Sequence, residues 1–335
     1  MSSYRFLFLS LFSLILLPGI LLASPSRDRA DALFEDAVAL NKQRQFKDAI
    51  ISFVRAVKLV PGDHKYHRGL HMTYQATGRI RQGINFYRNL VREVPENAVA
   101  HYWLGRYYLS NRSLEDAAIA FEESARLDPK DEHPFISLGH VYSRLGKNKE
   151  SLKAFLQADK MVPGVAVVKV GLGNSYFRMK EFDKARKEYE EAVAEDPSFT
   201  EAQFNLGILY ERSKDYDKAY DQWQLLIEAD PNDSAARENL AKLYYRGGFY
   251  LDALREYSTL SLVKVDTARI FLGLGESQIM LASELNDEKD RDLLKLRAIE
   301  SFKRTLEIDP KNDTARQYLE RLEALELKKR NSKKK

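Results

Sequence analysis

Hydrophobic and small residues recur along most of this chain at a fixed interval of 34 residues. The pattern is clearest in residues 166–199. Leu172 and Tyr176 fall on one face of a first predicted helix, and Ala185 and Tyr189 fall at i and i+4 on a second. Each unit is therefore predicted to be a pair of helices.

Prolines and aromatic residues show that the interval is a true period. Six prolines close successive units without insertion or deletion: Pro61, Pro95, Pro129, Pro163, Pro197 and Pro231. The first helices carry Tyr74, Tyr108, Tyr142, Tyr176, Tyr210 and Tyr244 in one column, and the second helices carry Phe53, Tyr87, Phe121, Phe155, Tyr189, Trp223 and Tyr257 in another. Repeats of this length are typical of stacked helix pairs, in which each pair buries its apolar face against its neighbours.

Small residues form a further pair of columns. Gly105, Gly139, Gly173 and Gly207 on the first helices face Ala117, Ser151, Ala185 and Ala219 on the second, which allows close helix approach. With these columns the sequence resembles the tetratricopeptide repeat family, whose pattern is matched in one unit by Leu206, Gly207, Tyr210, Ala219, Trp223, Leu226 and Pro231. The resemblance implies an all-α fold: a right-handed α-solenoid of about eight helix-turn-helix repeats over residues 25–312.

The C-terminal part departs from the period. The eighth repeat holds an insertion of 11 residues, and its polar segment from Ser283 to Asp292 predicts a longer loop followed by an early-starting helix. An apolar stripe then predicts a capping helix over residues 313–327. Residues 328–335 hold six lysines and arginines, and we expect a basic, disordered tail that solvent surrounds or that contacts an anionic membrane.

The N-terminal segment, residues 1–24, is typical of a secretory signal peptide. It is apolar from Phe6 to Leu22 and ends in small residues, which predicts cleavage near Ala23. An uncleaved N-terminal anchor is the alternative, because the apolar run approaches the length of a membrane span. The Pro18-Gly19 pair would break a spanning helix and favours the signal peptide. We therefore expect an exported protein of the periplasm or cell envelope.

Composition narrows the classes of function. The net charge of +4 comes from the basic tail, so the repeats offer no uniformly basic face, and no nucleic-acid partner is expected. Cysteine is absent, which excludes disulfides and thiolate metal sites. No glycine-rich phosphate loop follows a strand pattern. We predict neither enzymatic activity nor a cofactor.

Three histidines are the best metal candidates. His67 and His71 lie one turn apart, and His101 occupies the column of His67 in the next repeat. Three imidazoles could hold zinc. Arg68 stands where a metalloprotease motif would place glutamate, and both columns are packing positions. Packing histidines are favoured over a zinc-binding or pH-sensing module.

The resemblance implies a concave groove lined by first helices, which receives a segment of a partner protein. First-helix positions outside the packing columns predict the groove residues: Val99, Tyr102, Arg106, Leu109, Ile136, His140, Val167, Val170, Asn174, Phe177, Phe204 and Ile208. Tyr102, Ile136, Val170 and Phe204 share one column and predict an apolar band for a partly hydrophobic protein or peptide segment. Arg106, His140 and Asn174 form the adjacent column and are expected to orient the partner's polar groups. The alternative is that neighbouring first helices bury the band.

Arginines and aspartates also recur at fixed positions of the repeat. Arg144, Arg178, Arg212 and Arg246 also recur every 34 residues, and we interpret them as a solvated edge. Asp183 and Asp217 lie where second helices begin and are predicted to cap them. The function expected from the whole sequence is a non-catalytic protein–protein interaction scaffold of the cell envelope, with a self-assembling structural protein as the alternative.

Overall fold

The computed structural model describes residues 25–264 and 266–332, with side chains up to residue 327. The predicted signal peptide lies outside the described residues, and so do the side chains of the basic tail. Every regular element in the described part is an α-helix, seventeen in all. The predicted all-α solenoid of helical repeats is confirmed. None of the described helices is both long enough and apolar enough to cross a membrane.

The first of two compact units ends at Leu145. Its helices are α1 (Pro25–Lys42), α2 (Phe46–Leu59), α3 (His64–Ala76), α4 (Ile80–Glu93), α5 (Ala98–Ser110), α6 (Leu114–Leu127) and α7 (Glu132–Arg144). Odd-numbered helices are the first helices of the repeats, and even-numbered helices are the second. Successive helices pack against one another, so the core is a seam between helix pairs.

The second unit begins at Gly146. It contains α8 (Asn148–Met161), α9 (Ala166–Arg178), α10 (Phe182–Glu195), α11 (Thr200–Arg212), α12 (Tyr216–Ala229), α13 (Ser234–Arg246), α14 (Tyr250–Val263), α15 (Ala268–Glu284), α16 (Glu288–Ile308) and α17 (Asp313–Ser332). The boundary between the units falls within the fourth repeat.

Several first helices begin at a capping side chain, whereas most second helices do not. Asp63 accepts a hydrogen bond of 2.9 Å from the backbone N–H of Lys65, and Asn97 and Asp233 cap α5 and α13 in the same way. Asp183 and Asp217 lie inside the first turns of α10 and α12, and neither helix has a side-chain cap. The prediction that these two aspartates are caps is wrong, because each helix starts one residue before them.

Close contacts between glycines and aromatic rings hold the helix pairs together. A methyl group added at Gly207 would lie 2.6 Å from the ring of Trp223, and one at Gly173 would lie 2.5 Å from the ring of Tyr189. Both rings are fully buried. The two helices of a pair therefore approach closely at the glycine column, with an aromatic ring of the second helix opposite each of these glycines. The predicted facing of glycine by the Ala and Ser column stays a prediction.

The insertion in the eighth repeat lengthens two helices instead of forming a long loop. Only residues 285–287 separate α15 from α16, and Asp287 caps α16 by accepting from the N–H of Asp290 at 2.9 Å. The early helix start is found, but the longer loop is not. The last helix, α17, extends to Ser332, five residues beyond the predicted end at 327.

Candidate interaction surfaces

Tyr102, a predicted member of the apolar band in the first unit, is buried. Its ring is only 4% exposed, because His64 covers it at a centroid distance of 5.3 Å and His133 at 6.1 Å. Phe121 packs against it from α6 at 5.6 Å. The expectation that Tyr102 contacts a partner is therefore wrong, since residues of three other helices fill that space.

Arg106 lies beside Tyr102 and is partly used inside the unit. Its Nη1 donates a hydrogen bond of 3.0 Å to the Tyr102 hydroxyl, and its guanidinium carbon lies 5.7 Å from the Trp103 ring centre. The other predicted groove residues of the first unit are half-buried or exposed: Val99, Arg106, Leu109, Ile136 and His140.

Val170 plays the corresponding packing role in the second unit. It is 3% exposed and belongs to the core around Tyr189 and Trp223, so its predicted contact with a partner is also wrong. The other predicted apolar residues are half-buried: Val167, Phe177, Phe204 and Ile208. Phe204 rests on the Trp223 ring at 5.2 Å. These four residues, on α9 and α11, define the first-helix face of the second unit.

Asn174 has internal partners for both ends of its amide. Its Oδ1 accepts from the Tyr189 hydroxyl at 2.7 Å and from Asn205 Nδ2 at 3.1 Å, while its Nδ2 donates to Glu201 at 3.2 Å. A partner's backbone would have to displace these bonds. The residue therefore fixes α9 against α10 and α11, and its predicted role in orienting a partner does not fit this arrangement.

The three candidate zinc ligands are held by separate protein groups. His67 is fully buried; its Nε2 lies 3.0 Å from the carbonyl oxygen of Pro61, and its Nδ1 lies 2.6 Å from the Tyr87 hydroxyl. His71 Nε2 contacts Ser110 Oγ at 3.0 Å, and His101 Nε2 contacts the carbonyl of Pro95 at 2.9 Å. His67 and His71 are therefore packing histidines, His101 is half-buried, and each of the three has a different partner.

His67 and His101 belong to a wider column of hydrogen-bond donors. In the second unit Gln203 Nε2 donates to the carbonyl of Pro197 at 2.8 Å, and Arg237 Nε donates to that of Pro231 at 3.0 Å. Each donor lies six residues after the proline. The residues of this column therefore satisfy the proline carbonyl, which has no partner in the helix hydrogen-bond ladder. This role accounts for His67 and His101.

Burial keeps two of the histidines neutral. It lowers the pKa of His67 to about 3 and that of His71 to about 4, the latter with a further contribution from the charge of Arg106. Among the described residues the one cluster with metal-ligand spacing is Asp131, Glu132 and His133 at the start of α7. Asp131 is occupied there as the helix cap and as a partner of His133 Nδ1 at 2.7 Å.

A cavity in the second unit was not anticipated from the sequence. It has a volume of about 430 Å³ and is lined by the rings of Tyr216, Tyr220, Tyr244 and Phe249. The charged side chains of Asp217, Asp252 and Arg246 also line it. We call it the edge cavity, because it opens where first helices end and second helices begin. One signal for this cavity was present in the sequence: Tyr220 stands where the preceding repeat has Arg186.

Comparison with known proteins agrees with this geometry. Two descriptions of the tetratricopeptide repeat family match the chain, one at residues 72–132 and 170–236 and the other at residues 134–163. The chain is a tetratricopeptide repeat protein. Arrays of this repeat serve generally as non-catalytic protein–protein interaction scaffolds.

Solved tetratricopeptide structures share the fold at low sequence identity. The APC/C hetero-tetramer Cut9-Hcn1 matches with 18% identity and a TM-score of 0.56 over 89% of this chain, which spans only 57% of that one. PilW, a type IV pilus biogenesis factor, matches with 20% identity and a TM-score of 0.55 over 66% of this chain and 98% of its own. YrrB, with an unusual peptide-binding site, matches with 20% identity and a TM-score of 0.50 over 60% and 97%.

Proposed function

We propose that this tetratricopeptide repeat protein is a non-catalytic scaffold of the cell envelope that holds a partly hydrophobic segment of a partner protein. The observation that carries the proposal is the first-helix face of the second unit, where Phe177, Phe204 and Ile208 remain half-buried on successive first helices. Residues that pack against the core and keep apolar surface in solvent are suited to burial by a partner.

The chemistry of this face favours an extended or helical segment with apolar side chains. Phe204 and Ile208 are one helical turn apart, and Phe177 lies on the preceding first helix, so side chains at regular spacing could contact them in turn. Covering apolar surface stabilises a complex by about 25 cal/mol per Å² before the costs of association. The first unit offers Leu109 and Ile136 with Arg106 and His140 as a second, more polar surface.

The predicted signal peptide supports a location in the cell envelope. Residues 1–24 have the apolar run and small-residue end that export requires. The shared fold of PilW, a pilus biogenesis factor, is compatible with assembly work in that compartment. N-terminal sequencing and cell fractionation of the native protein test this point. A start near residue 24 or 25 supports export with cleavage, an intact Met1 in the membrane fraction supports the uncleaved anchor, and an intact Met1 in the cytoplasmic fraction contradicts the envelope location.

Partner capture is tested by crosslinking in native cells followed by mass spectrometry. We expect Ile208→Glu to remove the crosslinked partner, because a buried charge would oppose the apolar contact. The matched control is Leu225→Glu, which changes a 45% exposed leucine on the second helix α12 and should leave capture intact. Circular dichroism checks that both variants stay helical. Equal capture by the wild type and Ile208→Glu would contradict the proposed surface.

Self-assembly is the alternative outcome, and light scattering distinguishes it. A discrete oligomer that grows with protein concentration and is lost in Ile208→Glu would assign the same face to contact between copies. A monomer that still captures a partner supports the scaffold.

A further inference from the structure

The edge cavity of the second unit is lined by aromatic rings, and Arg246, which also lines it, leaves the Tyr216 ring uncovered. Tyr216 is 46% exposed and Phe249 is 61% exposed, although both are large side chains. Tyr244 joins the walls, with its ring 5.9 Å from that of Tyr220 and 6.4 Å from that of Phe249. Aromatic faces carry partial negative charge and attract cations.

In the preceding repeat, an arginine covers the corresponding aromatic ring. Phe182 occupies the column of Tyr216, 34 residues earlier, and the guanidinium carbon of Arg212 lies 3.9 Å from the centre of its ring. Here the protein's own arginine covers the aromatic face. The same backbone geometry one repeat later places Arg246 in the column of Arg212.

Arg246 lines the edge cavity but does not cover Tyr216, because Glu211 binds its guanidinium. Its Nη1 donates to Glu211 Oε2 at 2.8 Å, and no such acid exists in the preceding repeat, where Phe177 occupies the column of Glu211. Glu211 is itself fixed, since its Oε1 accepts from Trp223 Nε1 at 3.1 Å. One exchange, Phe177 to Glu211, thus accounts for the uncovered ring.

A carboxylate beside the cavity also lacks its arginine. In the preceding repeat Asp183 pairs with Arg186 at 2.9 Å. Asp217 occupies the column of Asp183, but Tyr220 replaces the arginine, and within the described residues Asp217 has no cationic partner. The edge cavity therefore combines an open aromatic face with an unpaired negative charge.

We infer that the edge cavity binds an arginine side chain presented by a partner protein. A guanidinium can stack on the face of Tyr216 while its N–H groups reach the carboxylate of Asp217, as Arg212 and Arg186 do separately one repeat earlier. A lysine ammonium has no planar face for the stacking. This surface uses no residue of the proposed partner groove, so the two proposals stand or fall independently.

The binding chemistry is tested by NMR titration of the purified protein with two small probes. N-acetyl-arginine amide carries the guanidinium, and N-acetyl-citrulline amide has nearly the same shape without the charge. We expect the arginine probe to shift the aromatic signals of Tyr216 and Phe249, and the citrulline probe to bind at least about threefold more weakly. Equal binding of both probes, or no shift at these rings, overturns the inference.

Substitution of the carboxylate tests its role in binding. Asp217→Asn should weaken the arginine probe by about two- to fivefold, as expected for an exposed charge pair. The matched control is Asp183→Asn, whose aspartate already has its own arginine and should not affect binding. Unchanged binding in Asp217→Asn contradicts the role of the carboxylate.

Release of the internal arginine is the sharper test. Glu211→Gln keeps an oxygen for Trp223 but frees Arg246, which should then cover Tyr216 and weaken the probe by about two- to fivefold. Adding Arg246→Gln removes the competitor and should restore wild-type binding. Failure of the single variant to weaken binding, or of the double variant to restore it, refutes the mechanism.

Discussion

His67 Nε2 donates a 3.0 Å hydrogen bond to the carbonyl oxygen of Pro61, six residues earlier, at the junction of the first and second repeats. Because a carbonyl only accepts, the proton resides on Nε2, and Nδ1 accepts from the Tyr87 hydroxyl at 2.6 Å. The imidazole is neutral and fully used. In the second unit Gln203 makes the same bond to Pro197 with an amide.

The first prediction follows from this correspondence. His67→Gln should retain the bond to Pro61 and change the stability of the first unit by no more than about 1 kcal/mol. His67→Leu should cost about 2 kcal/mol, because the buried Pro61 carbonyl and Tyr87 hydroxyl lose their partner. Hydrogen exchange of the α3 and α4 amides measures both variants. Equal losses in the two variants would show that volume, not the hydrogen bond, matters here.

Acid should weaken the first unit by protonating His67 and His71. The pKa of His67 is lowered to about 3 and that of His71 to about 4, against about 6.5 in the unfolded chain. The unfolded state therefore binds protons first, so the contribution is complete above pH 6.5 and declines toward pH 4, by about 1.4 kcal/mol per pH unit for each histidine.

Hydrogen exchange between pH 7 and 5, corrected for the intrinsic rate, measures this decline. The control is the double variant His67→Gln with His71→Gln, whose stability should depend less steeply on pH. An equally steep decline in the double variant would assign the acid sensitivity to other groups.

Lys169 on α9 should stabilise the second unit more than an exposed lysine does. It is 13% exposed and lies 2.9 Å from Glu191, 3.3 Å from Asp159 and 3.4 Å from Glu188. Burial opposes its charge, but these carboxylates outweigh that effect and raise its pKa. Lys169→Met should cost about 2–3 kcal/mol at pH 7, because three acids are left without their cation.

The control for this prediction is Lys187→Met, which removes an exposed lysine 3.6 Å from Glu191 and should cost less than about 1 kcal/mol. Burial raises the pKa of Glu188. The deficit of Lys169→Met should therefore shrink as the pH falls toward 5 and the acids take up protons. Urea titration at both pH values measures it, and a deficit that grows with acid would contradict the ionic origin.

Gly207→Ala tests the contact between the two helices of one pair, α11 and α12. The new methyl group would lie 2.6 Å from the Trp223 ring, so we expect a net loss of about 1–2 kcal/mol even though alanine favours the helix. Gly62→Ala meets no atom within 4 Å and should change stability by less than about 0.5 kcal/mol. Thermal melting compares them, and an unchanged Gly207→Ala would mean that Trp223 moves freely.

The helices were predictable because the repeat restricts the same positions many times. The glycine column itself was visible in the spacing, but we expected Ala219 opposite Gly207, and the structure places the Trp223 ring there. The eighth repeat was less predictable, since a polar insertion is compatible with either a loop or longer helices, and Asp287 decides between them by capping α16.

The exposure of single residues was not predictable from the period. A column gives the direction of a side chain from its own helix, but the sizes of its neighbours decide whether it reaches solvent. His64 and His133 close over Tyr102, while Phe204 in the same column stays half-exposed. The edge cavity depends likewise on where Arg246 turns, and only side-chain positions show that.

The proline carbonyls are satisfied by imidazoles at the first two positions that the structure shows, His67 and His101, and by an amide and a guanidinium later, at Gln203 and Arg237. An imidazole can take up a second proton near neutral pH, whereas an amide and a guanidinium cannot. At His67, whose pKa burial lowers, that proton would occupy Nδ1 and remove the acceptor of the Tyr87 hydroxyl, so the junction of the first two repeats should loosen in an acidified compartment.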